Sequence, residues 1–240
     1  MEENENLYDK IKEIIGNVPD DLNILEDSID VDLQAEYFEF SSKLSRKYDK
    51  KWALQQLGTL QNPYSSIGMK KNVLTRLATL ENIEAYRAIE TYMEHPDKEL
   101  KQWGQLALQE SKMHMKSHLL EENQILISTG LGGRDNRLRY FVVLVARNKI
   151  DINDLQVDIL KKEFIYTIEK YDGIIEDFDY SGYLVAFMIL LPIKHPVRNI
   201  LSEGIDQCNQ LGDFLEPDSI ITNVRRISFD EVVEHLENNN

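Results

Sequence analysis

The sequence predicts an α+β chain in two parts, a helical first half and a mixed second half. Three observations carry this. Before residue 123, apolar residues recur at steps of three and four, with no alternating run. After it, short runs rich in Val, Ile, Leu, Phe and Tyr are separated by single helical segments. The chain has 240 residues, 42% hydrophobic and 29% charged, which suits two modest folded domains and excludes collagen, disulfide scaffolds and wholesale disorder.

Residues 6–15 form a short amphipathic pattern, closed by Gly16 and a turn at Pro19, Asp20 and Asp21. Residues 20–32 are acidic with scattered Leu and Ile, so 1–32 is expected as an acidic arm. A long helical pattern spans 33–57, with Leu33, Tyr37, Phe40 and Leu44 on one side and Trp52, Leu54 and Leu57 continuing it. Gly58 and the polar loop 61–66 end it. A helix follows over 69–80 with Val73, Leu74 and Leu77 inward. Asn82 is a suitable N-cap for the next, through Tyr86, Ile89 and Met93, which His95 and Pro96 terminate. Asp97 opens the last helix of this half, through Leu100, Trp103, Leu106, Leu108 and Met115 to about 120. The helical domain is placed at 33–122.

The stretch HPDKELKQW at 95–103, closing on Ala107 and Leu108, resembles the inter-helix turn and second helix of a HEAT repeat. A weaker echo lies at 50–58, from Lys50, Lys51 and Trp52 to Leu57 and Gly58, and Trp103 stands where that family usually has a small residue. The resemblance covers about 45 residues and implies a HEAT-like helical array with a protein-binding surface.

After Asn123 the period changes. Strands are expected at 124–129 and 138–147, then a helix at 153–171 with Leu155, Ile159, Leu160, Phe164 and Ile168 inward and Gly173 past its end. Strands at 174–179 and 183–191 flank a turn at 180–182. A helix at 196–211, a strand at 219–228 and a terminal helix at 230–236 complete the chain. From Leu138 the order is β-α-β-β-α-β, that of a ferredoxin-like domain, placed at 123–240. The runs at 140–145 and 183–191 are apolar at successive positions, which predicts burial on both faces of the two central strands. The helical array, the terminal helix or a second copy must cover the face that the other helices leave open, and the tethered array is the favoured cover.

The longest apolar run, 183–191, is about half the roughly 20 residues of a membrane helix. The N-terminus MEENENLYDK carries acids where a secretory signal carries bases, and Cys208 is the only cysteine. A cytoplasmic chain without a membrane partner is expected. Charge is uneven. Forty-two acids against 27 bases leave −15, of which −11 lies in residues 1–42, while 43–120 carry +5. The arm could fold back on the basic helices or serve solubility, and overall acidity argues against tight duplex binding, so nucleic acid is expected to be an improbable partner.

The most site-like segment is the loop 130–137, where Gly132 and Gly133 permit close approach and Arg134 and Arg137 could clamp a phosphate or carboxylate. It stands between strands and does not open a helix, so it lacks the amides of a dinucleotide site, and its other reading is a mobile hairpin loop. His114 and His118 are spaced i, i+4, with Glu121 and Glu122 one turn on, as metal ligands can be; helix-end histidines have the same spacing. Asp177 and Asp179 on the strand before the central hairpin, with Asp151, could hold divalent metals as in polymerase palms and nucleotide cyclases, or simply be solvated. No cofactor motif and no nucleophile elbow occurs, and mid-helix Cys208 reads as core.

The function expected is non-catalytic: an adaptor or regulatory protein binding another protein, with an inhibitor or immunity-type protein against a basic target as a sub-case. The alternative is a ligand-sensing or nucleotide-handling domain using the glycine loop and the acidic hairpin. A monomer is favoured, with a homodimer through the sheet face second.

Overall fold

The computed structural model describes residues 23–45, 50–120 and 125–238. The expected helix at 6–15, the turn at 19–21, most of the acidic arm, and Glu121 and Glu122 lie outside the described residues. The architecture is α+β, and the chain divides into two compact units, 27–128 and 129–240 together with 1–26. No described helix is long and apolar enough to cross a membrane.

A two-residue strand β1 (Asn23–Ile24) comes first, where no strand was expected. The helical unit holds α1 (Val31–Ser45), α2 (Lys50–Gln55), α3 (Ile67–Ala78), α4 (Ile83–Glu94) and α5 (Lys101–Leu120), then a short strand β2 (Leu126–Ile127). Starts are set by side-chain caps. Ser66 accepts from the Met69 amide, and Asn82 accepts from the Glu84 and Ala85 amides. Pro96 halts α4. Asp97 does not cap the next helix as its position suggested. A single tight turn at 98–100 intervenes, and the Asp97 carboxylate accepts from Lys70 Nζ (2.7 Å) and Tyr92 Oη (2.8 Å) instead. Trp103 is buried, its indole N–H donating to Thr75 Oγ1 at 2.9 Å, with Tyr37 edge-on at 4.9 Å.

The second unit holds β3 (Gly133–Arg134), β4 (Arg137–Ala146), α6 (Asp154–Lys170), β5 (Ile174–Ser181), β6 (Leu184–Pro192), α7 (Val197–Gly212), β7 (Leu215–Thr222) and α8 (Phe229–Asn238). The sheet runs β7-β4-β6-β5, antiparallel throughout, with β3 added beside the start of β4. Val142, Leu144, Val185, Phe187 and Ile189 face α6 and α7, which contribute Leu160, Phe164, Ile168, Leu201 and Ile205 to the same core. Asn153 and Gln156 form a capping box that opens α6. Gly204 lets α7 approach α6 closely, since a Cβ there would sit 2.8 Å from the Phe164 ring.

All nine residues of β6 are buried, as the unbroken apolar run requires. On the opposite face Phe141, Val143, Val145, Leu184, Ala186 and Met188 pack against Val232, Phe229, Val233 and Leu236 of α8 and against Leu131. The terminal helix supplies the cover favoured for the helical array. A homodimer through this face is therefore not available to the folded chain, because α8 occupies it.

Candidate functional site

The loop 130–137 is a tight hairpin rather than a mobile tip. Asp135 and Asn136 both have positive φ (52° and 58°), as a two-residue primed turn between β3 and β4 requires. Residues 129–133 are buried. A Cβ on Gly133 would collide with the Arg137 carbonyl, and one on Gly130 with the Val224 carbonyl. The Gly132 amide donates to Thr129 O and the Gly133 amide to Leu25 O, so neither is directed at a ligand. The Leu131 amide donates to Asn223 O at 3.0 Å, which ties the hairpin to the segment after β7 that carries Arg225 and Arg226.

A bulge in β5 completes the site. Ile175 pairs with Ile189 and Asp177 with Met188, so Glu176 is the extra residue, and the register shifts there. Glu176 and Asp177 thereby both meet arginines. Arg139 grips Glu176 with Nε and Nη2 (2.5 and 3.2 Å) and donates from Nη1 to Leu131 O. Arg134 adds a contact to Glu176 at 3.3 Å, and Arg226 pairs with Asp177 at 2.6 Å. The Arg139 hydrogen bond holds the Glu176 carboxyl below the usual carboxylate range, with the positive charges of Arg139, Arg134 and Arg226 adding to it. Nearby, Arg225 and the Ser228 amide pull Glu231 down to about 2.

These arginines are not equivalent. Arg137 and Arg139 have side chains 18% and 19% exposed, and both bind backbone carbonyls as well as carboxylates. Arg137 reaches Asp172 O (2.7 Å) and Oδ1 (2.8 Å), securing the positive-φ residue that ends α6. Arg134, Arg226 and Arg225 are 49%, 59% and 62% exposed. The first pair fixes the fold, and the other three present guanidinium groups to solvent. Of the arginines singled out as a clamp, Arg134 remains presented and Arg137 is committed. Arg225 and Arg226 were not singled out, although an adjacent arginine doublet in an acidic chain is a visible signal.

Two cavities flank α8. One, about 570 Å³, is lined by Phe141, Ala186, Met188, Phe229, Asp179 and Arg226 among others. The other, about 420 Å³, lies beside Ile220, Arg225 and His235.

The metal candidates are not brought together. His114 lies 3.9 Å from Glu110, whose carboxylate raises the imidazole pKa, and His118 lies 3.5 Å from Glu81. Asp177 is taken by Arg226, and Asp179 accepts from the Tyr180 amide. Among the described residues there is no group of three or more His, Cys, Asp or Glu able to hold a metal ion. Cys208 is buried, and burial pushes its thiol up to about 12, where it is inert as a nucleophile.

No protein-family model matches the chain, and no curated protein matches it. Among solved structures it is similar to a candidate transposase from Deinococcus radiodurans R1, with 12% identity and a TM-score of 0.38, over 45% of this chain and 96% of that one. It is also similar to the REP-associated tyrosine transposase bound to a REP hairpin, with 13% identity and a TM-score of 0.32, over 41% of this chain and 62% of that one. Likeness at this level assigns no activity. The expectation of an adaptor for another protein, with nucleic acid improbable, is corrected: the neighbours found are transposases, one of them bound to a REP hairpin.

Proposed function

We propose that the unit formed by 129–240 binds single-stranded nucleic acid through Arg134, Arg225 and Arg226. The observation that carries this is their arrangement: three solvent-facing guanidinium groups on two segments joined by the Leu131–Asn223 hydrogen bond, one of them, Arg226, lining a cavity with an apolar floor. Exposed ion pairs of this kind add little to stability, so a phosphate can replace a carboxylate partner with little loss to the fold. Arginine is suited to the exchange, because its planar fork accepts phosphate in two parallel hydrogen bonds. The net charge of −15 repels a polyanion at long range, so affinity rests on local contacts to a few phosphates and falls with salt in proportion to their number. The β-α-β-β-α-β order, with α6 and α7 on the same face of the sheet, supports a ferredoxin-like reading of this unit, and the successive packed helices of 27–128 a HEAT-like one.

The test is fluorescence anisotropy of a labelled oligothymidylate with the full chain at low salt. Binding is expected for the native protein and a loss of about tenfold or more for the triple variant Arg134→Ala, Arg225→Ala, Arg226→Ala, since each contact to an ionised group contributes appreciably. Equal binding by both proteins, or none by either, refutes the proposal.

A further inference from the structure

We infer that the larger cavity beside α8 receives an unstacked guanine of the bound strand, an assignment that rests on the nucleic-acid reading above. Its volume, about 570 Å³, falls within the roughly 300–1,000 Å³ range of sites that enclose a small organic group. Phe141, Ala186 and Met188 line it from the central strands and Phe229 from α8, a hydrophobic lining against which a flat base can lie. Arg226 lines the same cavity and is one of the three arginines assigned to phosphate, so backbone and base contacts adjoin.

The carboxylates choose the base. In the unbound chain Asp177 pairs with Arg226 and Glu231 with Arg225, and a guanidinium with five N–H donors can keep its carboxylate while giving its remaining donors to a phosphate. Asp179 has no cation within ion-pair distance among the described residues; one of its oxygens accepts the Tyr180 amide, and acceptor capacity remains on both. A carboxylate offers two parallel acceptors. Guanine alone among the common bases presents two adjacent donors, N1–H and the 2-amino group, on its pairing edge. Adenine and cytosine set a ring-nitrogen acceptor beside their single amino group, and thymine or uracil flanks its one N–H with carbonyl oxygens, so each turns a lone pair toward Asp179. The same guanine chemistry occurs in a free guanine nucleotide. The three arginines, spread over two segments, favour a strand as its source.

Anisotropy of labelled oligothymidylate is compared with that of the same strand carrying one central guanine, using the full chain and its Asp179→Asn variant. The guanine strand is expected to bind about tenfold more tightly, as a bidentate base contact provides. Asp179→Asn keeps the shape but replaces one acceptor by a donor and removes one negative charge, so the preference should vanish while oligothymidylate binds at least as tightly as to the native chain. Binding of both strands with equal affinity overturns the guanine assignment and leaves the nucleic-acid reading standing. Failure of either strand to bind refutes that reading, and this one with it. A preference that survives in Asp179→Asn overturns the role of that carboxylate. Saturation by guanosine monophosphate at the concentrations that suffice for the strand overturns the choice of a strand.

Discussion

The two units bury polar groups in opposite ways. In the helical unit, Glu110 lies inside, accepting from Tyr37 Oη (2.5 Å) and Ser41 Oγ (2.7 Å), and Lys70 is buried against Asp97. Burial and the neighbouring Glu110 push the Tyr37 phenol well above its usual pKa, so it stays a donor at every ordinary pH. In the sheet unit the two faces are sealed by apolar side chains, and half-exposed arginines pair with carboxylates at the surface, Arg134 with Glu176, Arg226 with Asp177 and Arg225 with Glu231. Buried pairs that satisfy one another hold the relative placement of α1 and α5 and are costly to break. Pairs at the surface contribute little to the fold and can be redirected to a ligand. The contrast separates charges that hold the fold from charges left at the surface, to which the proposed binding is assigned.

The largest expected effect tests the apolar side of the contrast. Phe187 lies between Phe164 and Phe178 and is fully buried, so Phe187→Ala should lower stability by ~3–5 kcal/mol, read from urea unfolding followed by circular dichroism. Glu110→Ala comes next. It leaves the Tyr37 and Ser41 hydroxyls buried without their acceptor, a loss of ~2–3 kcal/mol, visible in tryptophan fluorescence because Trp103 packs on Tyr37. A change below 1 kcal/mol there would show that the buried network is dispensable and would break the comparison. A smaller, pH-dependent effect comes from His114, whose pKa is raised by the Glu110 carboxylate 3.9 Å away. The stabilisation is complete below the ordinary imidazole pKa, near ~6.5, and is lost as pH rises through the higher folded value. Protection factors of α5 amides should therefore fall with rising pH in the native chain and stay level in His114→Gln. The smallest effect sharpens the other side: the triple variant of Arg134, Arg225 and Arg226 should keep Tm within about 2–4 °C of the native value.

What could be read from the sequence follows the same division. The buried β6 run announced itself because nine successive apolar residues fit only a strand covered on both faces. The identity of its cover did not, since a ten-residue amphipathic helix at the chain end has the same pattern whether it packs on this sheet or elsewhere. Gly132 and Gly133 were visible as a turn, but whether the Gly133 amide serves a ligand or the fold depends on Leu25, 108 residues earlier. The β5 bulge has a local sign, two acids in a row between Ile175 and Phe178 that break alternation, yet its arginine partners lie 37 and 49 residues away. Glu110 was hidden because one acid in a helix looks the same on a solvated face as beneath a tyrosine.

The measurement that bears most directly on the account is the salt dependence of oligothymidylate binding by the full chain. Three arginines each neutralising one phosphate should give a slope of log affinity against log salt near about −2, from ~0.7 per phosphate on a single strand, and the triple variant should bring it close to zero. A slope equally steep in the triple variant would show that the strand is held elsewhere and would contradict the assignment of binding to Arg134, Arg225 and Arg226.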